Sequence, residues 1–404
     1  MAGPEGPDDR VRLPMPARDT IAALRTTVVS VPYRHPEISS RVHRLGLTNI
    51  IVELETADGR VGLGECARGP SIEAVLAALE TARPFVVGEQ VAGIERVRQR
   101  FYRVAGWDTY RHSGNFALAG IEMAMWDLLG QVAGLPVSDL FGGALADRIP
   151  VFAYLQQADP DAMATEAAEA IHNGYRAVYF KVGMDTEREV RQVAAVRRGI
   201  GSTALRIDAN GAWSVGQAIA VLRRLAPFDL DFVEQPVMGL DGLREVRAAT
   251  GIRVAANESA WTESEVLAVI CRQAADVIVT GPQNTGGLLS FRRAAALAEL
   301  AGLPVCRHSH GELGIGTAAA LHVLASCPNL DAGNQSYHGI LSDDVIVGGL
   351  PTAEDGCLRV PRGPGLGVQL DRDRLRAYAD LHRRQGAYRR NEVTAPISPW
   401  TGLS

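Results

Sequence analysis

The stretch that decides the fold runs from Ala204 to Glu258: ALRIDANGAWSVGQAIAVLRRLAPFDLDFVEQPVMGLDGLREVRAATGIRVAANE. It holds three short runs that read as strands, ALRIDA (204–209), DFVEQ (231–235) and IRVAAN (252–257). Amphipathic stretches such as 215–225 lie between them. Short strands alternating with helices at this interval read as successive βα units on a parallel sheet. The rhythm extends both ways, to VFAY (151–154) and AVYFKV (177–182) upstream and to DVIVT (276–280), LPVCRH (303–308) and NLDAG (329–333) downstream. Helical stretches at 184–198 and 262–273 fit between these runs. Eight candidates at roughly 23–28-residue spacing predict an α/β fold, a (β/α)8 TIM-type barrel over residues 147–350. The alternative is a doubly wound open sheet. That fold favours a glycine-rich phosphate loop after its first strand, and VFAYLQQADP has none.

Ahead of the barrel the pattern differs. Residues 21–31 and 47–57 alternate as strands, and Asp58-Gly59 marks a hairpin turn before RVGLGEC. Helical patterns follow at 71–83, 90–104 and 115–133, so 19–146 reads as an α+β domain. Residues 1–18 are rich in Pro, Gly and Asp and are expected to be a disordered tail. Residues 351–404 are Pro- and Gly-punctuated, with a helix expected over 372–384.

Composition excludes several function classes. The 404 residues carry a net charge of −5, against the basic excess of a nucleic-acid binder. No run of about 18 apolar residues predicts a membrane span. The N-terminus lacks the apolar stretch of a secretory signal. The five cysteines form no CxxC pair and read as reduced thiols of a cytoplasmic protein.

Chemistry in such a barrel sits at the C-terminal ends of the strands. Three successive strands there end in a carboxylate: Asp208, Glu234 and Glu258, spaced 26 and 24 residues apart. Hard oxygen ligands converging on one point suit Mg²⁺. One strand earlier stands Lys181. Lys and Arg together number 41, yet Lys181 is the single lysine. Only lysine can shed its proton within reach of neutral pH, and a desolvated lysine near a divalent cation is expected to have a lowered pKa and to act as a base. His308, at the end of strand seven, can exchange a proton from across the barrel. His308 and His310 are expected to point opposite ways, against a metal pair. Such a layout suits removal of the proton α to a carboxylate, with the metal neutralising the enediolate.

These segments resemble the mandelate racemase and muconate lactonizing branch of the enolase superfamily. The resemblance runs over residues 47–350 and rests on TADGRVGLGEC, IEMAMWDLLGQVAGLPVSDLFGG, YFKVG, RIDANGAW, FVEQP, AANES and Gly286-Gly287. It implies a Mg²⁺-dependent barrel, an N-terminal α+β capping domain, and a C-terminal segment that returns to it. It also implies a small carboxylate substrate chosen by capping loops, here Tyr33 to Arg44 and Leu63 to Cys66, and a homo-oligomer. Asp208, Glu234 and Glu258 match the family's metal ligands, Lys181 the second lysine of its Lys-x-Lys motif, and His308 its strand-seven histidine.

Three departures stand out. Asn257 occupies the place of an aspartate that ligates in some members, which makes Glu258 the first candidate and Asn257 the second. Gly281 stands where the family has a base lysine or the aspartate that orients the histidine. Asp331 and Asn334 stand where a strand-eight glutamate is usual. Tyr179 replaces the first lysine of the motif and is expected to orient Lys181. Asn210 and Gln235 are expected beside the metal ligands, Arg307 in an ion pair with a rim carboxylate, and His310, Glu312 and Asn334 around the substrate. Trp107, Tyr110 and His112 are expected to pack between domains. The reaction expected is dehydration of an acid sugar or related hydroxy acid. The alternatives are racemisation, epimerisation or lactone cycloisomerisation through the same intermediate, or a relative that has lost catalysis.

Overall fold

The computed structural model describes residues 19–68, 71–106 and 111–388. The expected N-terminal tail, Trp107 and Tyr110 lie outside them. The α+β part opens with an antiparallel meander of β1 (Ile21–Ile38), β2 (His43–Thr56) and β3 (Val61–Cys66). The turn at Asp58-Gly59 closes as expected: Gly59 donates to the Thr56 carbonyl, and Gly59 has φ +86°, a conformation that favours glycine. One face of the sheet takes the helices Ile72–Val86 and Ser113–Ala133. The second helix approaches β3 at backbone contact. A Cβ at Gly64 would lie 1.9 Å from the Gly120 carbonyl oxygen, so the GLG of VGLGEC is a packing requirement. This helix is long and apolar enough to cross a membrane by length and composition, but it is 72% buried inside the protein.

The second part is a parallel sheet in sequential order: β5 (Ala153–Tyr154), β6 (Ala177–Lys181), β7 (Ala204–Asp208), β8 (Phe232–Glu234), β9 (Val254–Ala256), β10 (Val277–Thr280) and β11 (Val305–Arg307). Before it lies β4 (Arg148–Pro150), which pairs antiparallel with β12 (Cys357–Arg359). The expected eighth strand at 329–333 does not form. Two single bridges, Leu330 to Val305 and Asn334 to Val151, join the sheet's two ends instead. The reason is polar. Arg206 projects inward from β7, donates to the Gly333 carbonyl at 2.8 Å and pairs with Asp331 at 2.5 Å. Backbone bonds still reach both neighbours, with Val305 N–H donating to the Asn329 carbonyl (2.9 Å) and Phe152 N–H to the Asn334 carbonyl (3.2 Å), while the Gly333 carbonyl between them goes to Arg206.

Side-chain alternation then sets the site. Phe152, Ala177, Tyr179, Phe232, Ala255, Val279 and Cys306 pack together inside the curled sheet. Residues two positions on in a strand share a face, so Lys181 follows Tyr179, and Glu234 follows Phe232, to the same inward side. Register aligns Lys181 with Asp208 and Asp208 with Glu234.

Buried polar contacts join the two parts. Glu65 on β3 accepts from the backbone N–H of Leu313 (2.7 Å) and Gly316 (2.8 Å), at the start of the helix Gly314–Leu324. It thereby satisfies donors that a helix N-terminus leaves open. Leu63–Cys66 is therefore buried between the two parts. The C-terminal helix Arg372–Gln385 packs on β1, where His382 Nδ1 meets Ser30 Oγ at 3.1 Å.

Glu122 forms a second junction. Its Oε1 accepts from Trp126 Nε1 (3.0 Å) and the Leu289 N–H (2.7 Å), while Oε2 is buried with no partner. Burial pushes its carboxyl up to about 7. Because the folded value lies above the ordinary 4.5, the fold favours the neutral form. That contribution is complete below pH 4.5 and is lost as pH rises towards 7. We predict that Glu122→Gln removes a fall in stability of about 3 kcal/mol between pH 4.5 and 8, at 1.36 kcal/mol per unit. Urea unfolding at both pH values checks it.

Candidate active site

Lys181, Asp208 and Glu234 are buried at the inward rim, and Asp208 is fully enclosed. The Lys181 ammonium is paired with Asp208 Oδ2 and donates to the Tyr179 hydroxyl at 2.9 Å. Tyr179 donates in turn to Asp208 Oδ2 at 2.6 Å. Tyr179 thus touches both the lysine and the carboxylate. Asn210 has φ +49°, a left-handed conformation that asparagine tolerates. From there its Nδ2 bridges Asp208 Oδ2 and Glu258 Oε1, each at 3.0 Å.

Three carboxylates therefore face one point. Burial pushes Glu234 well above the carboxylate range, and the negative charge of Asp208 adds to it; Lys181 opposes and Glu258 reinforces the shift. Glu258 is raised by burial and then by Asp208. Its Oε2 is buried without a partner. Among the described residues no His, Cys, Asp or Glu group is drawn in to metal-ligating distance, since Lys181 and Asn210 hold the inner oxygens. The donor set nevertheless fits a hard divalent cation: all oxygen, mutually repelling, with one orphaned carboxylate oxygen.

The lowered pKa expected at Lys181 belongs to the cation-bound site; without a cation the balance is the reverse. Burial acts downward, but the charges of Asp208 and Glu234 outweigh it and hold the ammonium above its ordinary value. A cation on those carboxylates would cancel the field that raises it.

Other expected residues play structural parts. Gln235 Oε1 accepts the backbone N–H of Asn257 (3.0 Å) and Ser259 (3.2 Å), tying β8 to β9. Asn257 Nδ2 donates to the Val279 carbonyl at 3.1 Å, tying β9 to β10. Glu258, not Asn257, thus meets the Asp208 group through Asn210. Asn334 Oδ1 accepts the Arg307 N–H at 2.8 Å, and its Nδ2 donates to the Pro150 and Asp331 carbonyls. It ties the two ends of the sheet together. Arg307 forms an ion pair as expected, with the buried Glu312 at 2.9 Å. Glu312 also accepts from Ser309 Oγ and the His310 N–H, so it shapes the loop carrying His308.

The two histidines do not diverge. β11 ends at Arg307, and positions two apart on extended chain face the same way; the rings of His308 and His310 lie 4.4 Å apart, edge to face. His112 reaches the barrel's Trp261 ring at 5.3 Å, which is the interdomain contact expected of it. Gly281 is explained by this loop. A Cβ there would lie 2.3 Å from the His308 carbonyl oxygen. We predict that Gly281→Ala costs about 1–3 kcal/mol by overpacking, measured as a lowered thermal midpoint.

One group escapes a reading of the sequence. Glu37, at the end of β1, is buried and ion-paired with Arg44. Its Oε1 accepts from Tyr337 (2.6 Å) and Tyr154 (3.2 Å). It lies near enough to Lys181 to feel its charge, although Arg44 is the main cause that holds its carboxyl below the usual range against burial. Tyr33 to Arg44 is the segment the resemblance marks as a capping loop, but nothing in its sequence shows which charges turn inward.

A helical and meander cap on a curled parallel sheet, with three carboxylates and a lysine at one rim, defines an enolase-type barrel. The sequence matches the family described as mandelate racemase/muconate lactonizing enzyme, N-terminal domain, over residues 23–142, and the one described as enolase C-terminal domain-like over 162–374. The chain belongs to the mandelate racemase/muconate lactonizing enzyme branch of the enolase superfamily. It is 33% identical to a Streptomyces coelicolor protein named "Probable glucarate dehydratase", covering 90% of this chain and 91% of that one. It is 28% identical to the N-succinyl-L-Arg/Lys racemase of Bacillus cereus, covering 88% and 96%. Among solved structures, an enolase from Thermobispora bispora complexed with magnesium and formate superposes with a TM-score of 0.84 at 29% identity, covering 91% and 95%. Muconate lactonizing enzyme from Pseudomonas fluorescens, complexed with muconolactone, superposes at 0.83 and 28%, covering 89% and 98%.

Proposed function

We propose that this chain removes the α-proton of a small carboxylate substrate with Mg²⁺, and that the usual outcome is dehydration of an acid sugar or related hydroxy acid. The observation that carries the reading is the convergence of Asp208, Glu234 and Glu258 with the single lysine at one inward rim. Asp208, Glu234 and Glu258 would hold the metal. Once bound, Mg²⁺ would neutralise the negative charge that builds on the substrate carboxylate. Lys181 takes the α-proton at Nζ, and Tyr179 fixes the direction of that amine. Asn210 keeps Asp208 and Glu258 facing each other. His308, on the strand-seven side of the mouth, gives a proton to a departing β-hydroxyl. The S. coelicolor relative's name supports dehydration.

A second reading is supported by the B. cereus relative and by the same two groups: His308 returns a proton to the α-carbon, and the product is the epimer. The test is incubation of acid sugars, lactones and N-acylated amino acids with enzyme and Mg²⁺. Semicarbazide reports a 2-keto acid, and polarimetry reports inversion. A keto acid supports dehydration. Inversion without keto acid supports the second reading. We propose a cytoplasmic homo-oligomer that takes a small carboxylate substrate and has no nucleic-acid or membrane role.

A further inference from the structure

The geometry points to His310, fixed by Asn284, as the positioning residue for His308. This rests on the reading of His308 as a proton donor in the proposed reaction. The rim beside β10 has no side chain at Gly281; the backbone of the strand-seven loop fills that place. The loop is pinned there, with the His308 N–H donating to the Thr280 carbonyl at 2.8 Å. Three residues past Gly281, the Asn284 side-chain amide meets His310 Nε2 at 2.8 Å.

Asn284 is itself fixed from the cap. Its backbone carbonyl accepts from Asn115 Nδ2 at 2.6 Å, and Asn115 Oδ1 accepts from the Tyr102 hydroxyl at 2.8 Å. The His310 ring is boxed by the edges of Phe116 (4.8 Å) and Trp261 (5.4 Å), and it packs edge to face on His308. A hydrogen bond at one ring nitrogen sets the tautomer and plane of an imidazole. Asn284 therefore sets His310, and the edge-to-face contact with His310 sets the plane of His308. Packing alone would be served equally by phenylalanine at 310. The bond to Asn284 gives that position a use for imidazole.

The test uses the full chain loaded with MgCl₂ and the variants Asn284→Ala, Asn284→Asp and His310→Phe. Ring-nitrogen NMR signals of His308 are assigned by their loss in His308→Asn. We expect those signals to move in Asn284→Ala and His310→Phe, and also in Asn284→Asp, whose carboxylate can only accept from Nε2 where the amide donates to it. The signals of His322 and His382 should stay in place. With a substrate found as above, kcat should fall about tenfold while KM stays within about twofold. His308 signals that superpose in every variant overturn the proposal, and so does a loss of stability with kcat unchanged. His310→Phe keeps the aromatic box, so the test survives an Asn284→Ala variant that does not fold. The NMR arm needs no turnover, so failure of the proposed reaction and failure of this positioning role are separate results.

Discussion

Lys181→Arg is expected to slow α-proton removal by about 10²–10⁴-fold, the share that a positioned general base contributes. The guanidinium stays protonated at any working pH. It still carries the charge that pairs with Asp208, and the side chain is enclosed by Tyr179 and Asp208. The fold should therefore persist while the base is lost. Initial rates of exchange or product formation, beside circular dichroism melts, separate the two effects. A variant with wild-type rate would remove Lys181 from the chemistry, and the lone lysine would then be a structural cation.

Glu234→Gln carries the second large effect, and it works in two directions. Without metal, Glu234 sits among like charges: burial and then Asp208 push it far up. A neutral amide spares the fold the cost of keeping that carboxyl protonated, so the metal-free variant should be no less stable than the wild type at neutral pH. With metal the sign reverses. The wild type should gain thermal stability as MgCl₂ is added, because a ligand that binds only the folded state stabilises it by mass action. The variant should lose most of that gain, together with its activity. Thermal melts with EDTA and with MgCl₂ measure both. Equal Mg²⁺-dependent stabilisation in the two proteins would place the cation elsewhere.

The barrel rim was legible because two periods act on it at once. Alternation within a strand decides which face a residue takes, and the repeat of about 25 residues decides which end of the sheet it reaches. Lys181, Asp208 and Glu234 satisfy both, and they are where they were expected. Glu258 lies just past its strand and was still found, because it keeps the repeat. The loops obey neither period. Gln235, Asn257, Glu312 and Asn334 each chose a backbone partner from a neighbouring strand or turn, and such partners are visible only in three dimensions. The eighth strand failed for a related reason: its pattern is strand-like, but Arg206 from β7 takes its carbonyl and its aspartate. Glu37 was missed because a charge on a cap strand reads as solvent-facing until Arg44, Tyr154 and Tyr337 are seen to enclose it.

Removal of a proton α to a carboxylate is the step on which the proposed reaction depends. Proton NMR in D₂O tests it most directly, with enzyme, MgCl₂ and pooled acid sugars, sugar lactones, hydroxy acids and N-acylated amino acids. The α-proton signal of at least one compound is expected to disappear, with or without a new product. EDTA and Lys181→Arg should each prevent the loss. Turnover of a carboxylate substrate that keeps its α-proton would contradict the account.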